Sequence, residues 1–81
     1  MQITYAPTKD ASNQEKHRVS LADAASIDWT SAVTWADTRM DYNEERMRGL
    51  GLIGNRVYAM VYVIRDQSRR VISLRKATTR R

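Results

Sequence analysis

The stretch RVYAMVYVIR, Arg56 to Arg65, decides the fold. Valine and alanine occupy its inner odd-numbered positions, and tyrosine, methionine and isoleucine occupy its even-numbered ones. β-Branched and aromatic residues favour a strand, and apolar residues on both sides predict a central strand that is covered on both faces. Gly54-Asn55 before it and Asp66 to Ser68 after it are turn signals, so we expect an antiparallel neighbour on each side.

Three neighbouring segments are also typical of strands. They are SAVTWAD from Ser31, ERMRGLGLIG from Glu45 and RRVISLRKA from Arg69. Together with the central stretch they predict a four-stranded antiparallel meander. Gly49 and Gly51 permit a bulge or a close backbone approach in the second of these strands.

The N-terminal third predicts one strand and two helices. ITYA, Ile3 to Ala6, fits an edge strand closed by Pro7. Thr8 to Arg18 is polar with good helix formers and predicts an exposed helix. Ser20 and Asp23 have the spacing of a capping box, which predicts a second short helix over 21–28. The expected fold is therefore α+β, with two short N-terminal helices packed on an antiparallel sheet of four to five strands.

Size and charge limit the function. A chain of 81 residues forms one domain, and folding hides only about 60% of the surface of so short a chain, so a deep cavity is not expected. Cysteine is absent, which excludes disulfides and thiolate chemistry. Residues 1–45 carry 4 basic and 8 acidic residues, whereas residues 46–81 carry 10 basic and 1 acidic. This asymmetry indicates a polyanion or an acidic protein as partner, and the alternative is a solvated basic surface.

No stretch of the sequence has the build of a signal peptide or of a membrane helix, so we expect a cytoplasmic protein. The chemistry then depends on a few side chains. His17, next to Lys16 near the expected helix end, has the side chain best suited to acid or base work near neutral pH. Cleavage of RNA without metal needs a base for the 2′-hydroxyl, an acid for the leaving oxygen and cations for the phosphorane charge. The alternative is that this cationic pair only complements the helix dipole.

Two further clusters of charged residues are present. In SLRKA, Arg75 suits bidentate phosphate binding and Lys76 offers a point charge, but strand alternation sends them to opposite faces. Basic residues in an edge strand also protect against aggregation. The four acids of DTRMDYNEER do not have calcium-loop spacing, and arginines intervene. We expect charge pairing there, mainly among Asp37, Arg39 and Asp41, and no metal site.

The strings ITYAPTK...N..KHRVSLADAA, DTRMDYNEER and VISLRKAT resemble the BrnT family, the small toxin of a type II toxin-antitoxin pair. The resemblance implies a RelE-like fold over a single domain, residues 1–81, and a metal-independent endoribonuclease without cofactor that blocks translation. It implies a BrnA-like ribbon-helix-helix antitoxin that neutralises the toxin, with operator DNA bound only through the complex. A toxin homodimer within a heterotetramer is compatible with this.

The resemblance also favours functional roles for particular residues. The catalytic candidates are His17 as acid or base, Lys16, Arg75 as the phosphate-binding group and Glu45 as an alternative base. The candidates for RNA binding are Lys76, Arg46, Arg48 and Arg65. Two other functions stay open: a basic RNA-binding protein without catalysis, and an antitoxin-binding protein whose nuclease activity is weakened or lost.

Three features depart from the family pattern. Arg18 stands where the family commonly has glycine, so we expect a reshaped and more cationic helix end. Asn43 replaces another glycine, and asparagine tolerates the positive φ that the turn requires. The chain stops at Thr79-Arg80-Arg81, so its tail is shorter than usual for the family, and we expect lower activity or a stronger reliance on partners.

Overall fold

The computed structural model describes residues 1–38 and 44–77. It contains one α-helix, one 3₁₀ helix and a single five-stranded sheet with the strand order β1-β5-β4-β3-β2. The expected α+β class is confirmed, and the stretch Arg56–Arg65 forms the central strand, β4. The elements in chain order are β1 (Gln2–Thr4), α1 (Pro7–His17), the 3₁₀ helix (Leu21–Ser26), β2 (Val33–Ala36), β3 (Arg46–Ile53), β4 (Arg56–Arg65) and β5 (Ser68–Lys76).

The predicted meander is present, because β2, β3, β4 and β5 pair antiparallel in chain order. The turn between β3 and β4 has Gly54 at φ 63°. In the turn between β4 and β5, Asp66 and Gln67 both take positive φ, 51° and 62°, which is the pattern of a type I′ turn built without glycine. One expectation is corrected: the sheet is not purely antiparallel, since β1 pairs parallel to β5. β1 and β5 are the first and last strands in the chain, so no hairpin joins them and their pairing need not be antiparallel.

Helix α1 begins at Pro7, whose fixed φ and missing N–H suit the first helical position. Asn13 is its one buried residue. The other helix residues are exposed or half-buried, as the polar sequence predicts. The helix ends where Arg18 takes a left-handed conformation, φ 61° and ψ 30°, and donates its N–H to the Gln14 carbonyl at 2.8 Å. Glycine adopts this conformation at least cost, and here Arg18 takes it and adds a positive charge at the helix end.

The second predicted helix is a 3₁₀ helix of six residues, Leu21–Ser26, rather than an α-helix over 21–28. The Ser20 hydroxyl accepts from the Ala22 N–H at 3.1 Å, as the capping pattern predicts. The carboxylate at this helix start is that of Asp10 in α1, which accepts from the Leu21 N–H at 2.7 Å and from the Ser20 hydroxyl at 3.1 Å. The capping group therefore comes from the preceding helix, which ties the two helices together.

The two faces of the sheet differ. One face, here called the helix face, is covered by the 3₁₀ helix and its flanking residues. The buried core on this face consists of Val19, Leu21, Ala24, Ile27, Met60, Tyr62, Val71 and Leu74. The opposite face, here called the open face, carries the alternate strand residues. Apart from Met1, the exposed large apolar side chains of the described residues all lie on the open face: Val33, Trp35, Leu50, Leu52 and Val57.

The two glycines of β3 lie on the helix face, beneath the segment that joins the 3₁₀ helix to β2 and the first residues of β2. A Cβ on Gly51 would lie 2.7 Å from the Ile27 Cγ2, and a Cβ on Gly49 would lie 2.9 Å from the backbone oxygen of Val33. The two glycines therefore allow neighbouring side chains and backbone to approach β3 closely. The irregularity lies instead between β4 and β5, where the pairing shifts between Val61 and Tyr62.

Candidate functional site

Basic side chains collect on the open face. The strand register places Arg46 and Arg48 of β3 and Arg70 and Arg75 of β5 on the same side as Ala59, Val61 and Val63 of β4. All four arginines are half-buried. Guanidinium groups side by side on a sheet suit the binding of phosphate, because each offers a planar fork of donors.

The shift in β5 is what brings Arg70 to this face. Residues 70 and 75 have opposite parity and would point to opposite faces of a regular strand. Ser73 pairs with Val61, whereas Val71 pairs with Tyr62, which leaves Ile72 as an extra residue. A single extra residue exchanges the two faces of the strand beyond it. The bulge therefore adds a fourth arginine to the open face.

A groove of about 380 Å³ crosses the open face, and we call it the basic groove. Arg48 and Trp35 border it on one side, and Ser73 and Arg75 border it on the other. Its floor is formed by the small or apolar residues Gly49, Leu50, Ala59, Met60 and Val61. The groove is shallow, in keeping with the size of the chain, and is suited to an extended ligand rather than to an enclosed one.

One of the groove arginines is held by a buried acid. The Asp37 side chain is 1% exposed, and its Oδ2 lies 3.8 Å from the Arg48 Nη1. The Asp37 N–H also donates to the Arg46 carbonyl at 2.8 Å, which extends the pairing of β2 with β3 by one residue. Asp37 thus orients Arg48 at the groove, and its carboxylate is engaged in charge pairing as the sequence predicts.

A second, smaller pocket of about 170 Å³ adjoins the groove, and we call it the His17 pocket. Lys16 and His17 line it from the end of α1, and Ile72 and Ser73 line it from the bulge of β5. Helix α1 lies along the edge of β5 beyond the point where β1 stops pairing, and its Asn13 amide bonds both to the Leu74 carbonyl, at 2.7 Å, and to the Leu74 N–H, at 3.2 Å. Ser73 borders both the His17 pocket and the basic groove, so the two meet at this residue.

Three of the candidates lie elsewhere. Arg65 is at the far end of β4, where its guanidinium forms an ion pair with Glu44 and its Nε donates to the same carboxylate at 2.6 Å. Lys76 is exposed and alternates to the opposite face from Arg75. Glu45 directly precedes β3, where alternation directs it away from the side of Arg46. Arg48 and Arg75 line the groove, and Arg46 lies on the same face outside its lining. Lys76 and Glu45 are directed to the other face, and Arg65, although its register places it on the open face, is paired with Glu44.

The charged segment DTRMDYNEER is described only at its two ends. Asp37 and Glu44 pair with Arg48 and Arg65 respectively, whereas the predictions for Arg39, Asp41 and Asn43 lie outside the described residues. Within residues 1–38 and 44–77, no three histidine, aspartate or glutamate side chains are grouped so as to hold a metal ion. The proposed consequence of the short tail also falls on residues outside the described part of the chain.

Sequence reasoning did not single out Arg69. Its guanidinium carbon lies 4.0 Å from the ring centre of Trp29 and 5.9 Å from that of Tyr62, on the helix face. Trp29 in turn meets Tyr62 edge-on at 5.4 Å and donates its indole N–H to the Ala24 carbonyl at 3.0 Å. Arg69 therefore acts in a cation-π stack that closes the core, whereas its neighbour Arg70 belongs to the open face.

Comparison with known proteins gives a family. No curated protein sequence matches the chain. The crystal structure of the ribonuclease toxin BrnT of Brucella abortus superposes with a TM-score of 0.74 and 22% sequence identity, over 98% of this chain and 99% of that one. At that identity the likeness shows the shared fold. None of the helices in the described residues is long and apolar enough to cross a membrane. The family model for the ribonuclease toxin BrnT of type II toxin-antitoxin systems matches residues 5–80, and the chain therefore belongs to the BrnT family of ribonuclease toxins.

Proposed function

We propose that this chain is a metal-independent endoribonuclease whose active surface is the basic groove together with the His17 pocket. The observation that carries the proposal is their shared border at Ser73, which makes a candidate acid or base and a set of phosphate-binding arginines parts of one surface. Such a combination fits cleavage by the RNA's own 2′-hydroxyl, which needs proton transfer and stabilisation of phosphorane charge.

In this mechanism Arg75 and Arg48 bind the scissile phosphate and stabilise the charge that develops on its oxygens. A base removes the 2′-hydroxyl proton, the 2′-oxygen attacks phosphorus, and the bond to the 5′-oxygen breaks as an acid protonates that oxygen. The products are a 2′,3′-cyclic phosphate and a free 5′-hydroxyl. His17 is proposed for one of the proton transfers, with Lys16 beside it as a further cation. Glu45 stays a weaker candidate base because it precedes the strand on the other side from the groove.

The test is cleavage of a labelled single-stranded RNA by purified protein in the presence of a chelator. We expect the wild-type rate to be unaffected by the chelator, and we expect His17→Ala and Arg75→Ala each to lower kcat/KM by about 100-fold or more. Arg56→Ala is the matched control. It removes an exposed arginine at the first residue of β4 and should leave the rate unchanged.

The outcomes separate the alternatives. Wild-type rates from both His17→Ala and Arg75→Ala would remove these two assignments. Loss of cleavage with the chelator would remove the metal-independent mechanism. RNA that is bound with strong salt dependence but stays intact would favour the alternative function, a binding protein with weakened or lost nuclease activity. Growth arrest on expression, lost in the same two variants, would connect cleavage with inhibition of translation.

We further propose a BrnA-like ribbon-helix-helix antitoxin as the partner of the open face. Membership of the family implies an antitoxin. Arg46, Arg48 and Arg70 lie towards one end of the face, here called the basic end. Val33, Leu50, Leu52 and Val57 lie towards the other, apolar end, where Arg75 is in register with Leu50 through Ala59. Charge complementarity favours an acidic segment with an apolar stripe, because its acids would pair with the arginines while its apolar side chains cover the leucines. An antitoxin bound there would exclude RNA from the basic groove.

A further inference from the structure

The two tryptophans of the chain have opposite surroundings. Trp29 is half-buried on the helix face, where its N–H is donated to the Ala24 carbonyl and its ring is packed against Tyr62 and Arg69. Trp35 lies on β2, at the edge of the sheet, and is 45% exposed. Large aromatic side chains are mostly buried in folded proteins, so an exposed tryptophan on the face that carries the basic groove is a candidate ligand contact.

Trp35 is part of the basic groove. It is the cross-strand partner of Arg48, and their Cβ atoms are therefore neighbours on the open face. Across the groove, three strands away or about 14 Å at the spacing of strands in a sheet, Ser73 is in register with Trp35 through Arg48 and Val61, and Arg75 lies two residues further along its strand, beside Ala59. The floor between them, with Ala59 and Val61, is apolar and low. An indole is thus placed at one end of a groove whose walls are arginines.

This combination matches the chemistry of an unpaired nucleotide. Bases of single-stranded RNA stack on aromatic side chains, whereas bases within a duplex have both faces occupied by their neighbours. Arginines beside the aromatic ring hold the backbone phosphates on either side of the stacked base. The exposed Val33 and Leu50, which lie next to Trp35 on the same face, add apolar surface around the base edge.

We infer that Trp35 forms a base-stacking subsite of the basic groove, which restricts the ligand to single-stranded RNA with an unpaired base on the indole and phosphates on Arg48 and Arg75. The inference rests on the proposed ribonuclease function. It adds a residue and a substrate requirement that the sequence did not assign, since Trp35 is neither an acid, a base nor a cation. Trp35 acts in binding and leaves the proton transfers to other groups.

The experiment uses tryptophan fluorescence in the full chain. Trp29→Phe leaves Trp35 as the reporter, and Trp35→Phe leaves Trp29. The probe is a short single-stranded 2′-O-methyl oligonucleotide, which is not cleaved through a 2′-hydroxyl. Its comparison probes are the duplex of the same sequence and an abasic strand of the same length. We expect the single strand to quench the Trp35 reporter strongly, the abasic strand and the duplex to quench it weakly, and the Trp29 reporter to be unaffected.

The affinity for RNA gives a second readout, which a purely structural role of Trp35 would leave unchanged. Trp35→Ala should weaken binding of the single-stranded probe about tenfold or more, and Trp35→Phe should retain most of the affinity. The salt dependence of binding should stay the same in both variants, because no phosphate contact is removed. Trp35→Thr keeps a residue that favours strands and serves in place of Trp35→Ala if that variant does not fold.

Two results would overturn the inference. The first is equal affinity of wild-type and Trp35→Ala protein for the single-stranded probe. The second is equal quenching of the Trp35 reporter by the abasic and the complete strand, which would mean that the ring senses the backbone alone. Either result leaves the ribonuclease proposal intact if wild-type protein still binds and cleaves RNA. Failure of the wild-type protein to bind any RNA would overturn both proposals together.

Discussion

At the scale of single residues, Asn13 connects three parts of the chain. Its amide group donates to the carbonyls of Val19 and Leu74, at 2.8 and 2.7 Å, and accepts from the Leu74 N–H at 3.2 Å. These backbone groups face the edge of β5 that β1 does not reach, so the side chain replaces a missing strand neighbour. The same residue holds α1 against β5 and thereby positions the His17 pocket.

We expect Asn13→Ala to lower the free energy of unfolding by about 3 kcal/mol, because three buried backbone groups would lose their partner. For a chain of this size that corresponds to a fall in Tm of roughly 15 °C, which thermal unfolding followed by circular dichroism measures. Asn13→Asp should cost at least as much, since a carboxylate cannot donate to the two carbonyls. Gln14→Ala, an exposed neighbour on α1, is the control and should change stability by less than about 0.5 kcal/mol. An Asn13→Ala protein as stable as that control would contradict this role.

At the scale of elements, the sequence predicts those features that depend on residues close together in the chain. Apolar residues at both parities identify β4, and the two turn signals around it fix the meander, because hairpins depend on neighbouring residues. The bulge at Ile72 was not predictable in this way, since the β-branched pair Val71 and Ile72 satisfies strand propensity with or without an extra residue. As a result, alternation alone assigns Arg70 to the wrong face. The role of Trp35 could not be predicted from local pattern either, because the groove beside it is built together with three other strands.

The contact between β3 and Ile27, the residue that directly follows the 3₁₀ helix, is the element-level feature most sensitive to size. A methyl group on Gly51 would meet the Ile27 Cγ2 at 2.7 Å, so the helix must move away or Ile27 must leave its position. We expect Gly51→Ala to cost about 1 to 3 kcal/mol of stability, measured by urea unfolding. The clash is specific to one partner, which makes a double-mutant cycle decisive. In an Ile27→Ala background the same substitution should cost clearly less, and an equal cost in both backgrounds would mean that the glycine serves another purpose.

At the scale of the whole molecule, charge and apolar surface are sorted onto one face. The helix face is closed by the 3₁₀ helix and by the stack of Arg69 on Trp29. The open face holds three arginines towards one end and the exposed leucines and valines towards the other, where Arg75 lies in register with Leu50. A second copy of the chain would offer these arginines mainly other arginines or apolar side chains, so it complements the face less well than an acidic partner does. An acidic partner with apolar side chains satisfies both ends of the face at once, and this is the argument for the antitoxin.

The two ends of the open face make a separable prediction. Leu52 lies at the apolar end, outside the lining of the basic groove, and Leu52→Glu places a negative charge where an acidic antitoxin would bind. We expect the Kd for the cognate antitoxin to rise by at least about tenfold, and RNA cleavage by the free toxin to be unchanged, so that cells expressing both proteins are no longer protected. Ala22→Glu, the same change in charge at an exposed position of the 3₁₀ helix, is the matched control and should stay neutralised. If Leu52→Glu binds antitoxin as tightly as Ala22→Glu does, the antitoxin occupies a different surface, and the apolar end of the sheet needs another explanation.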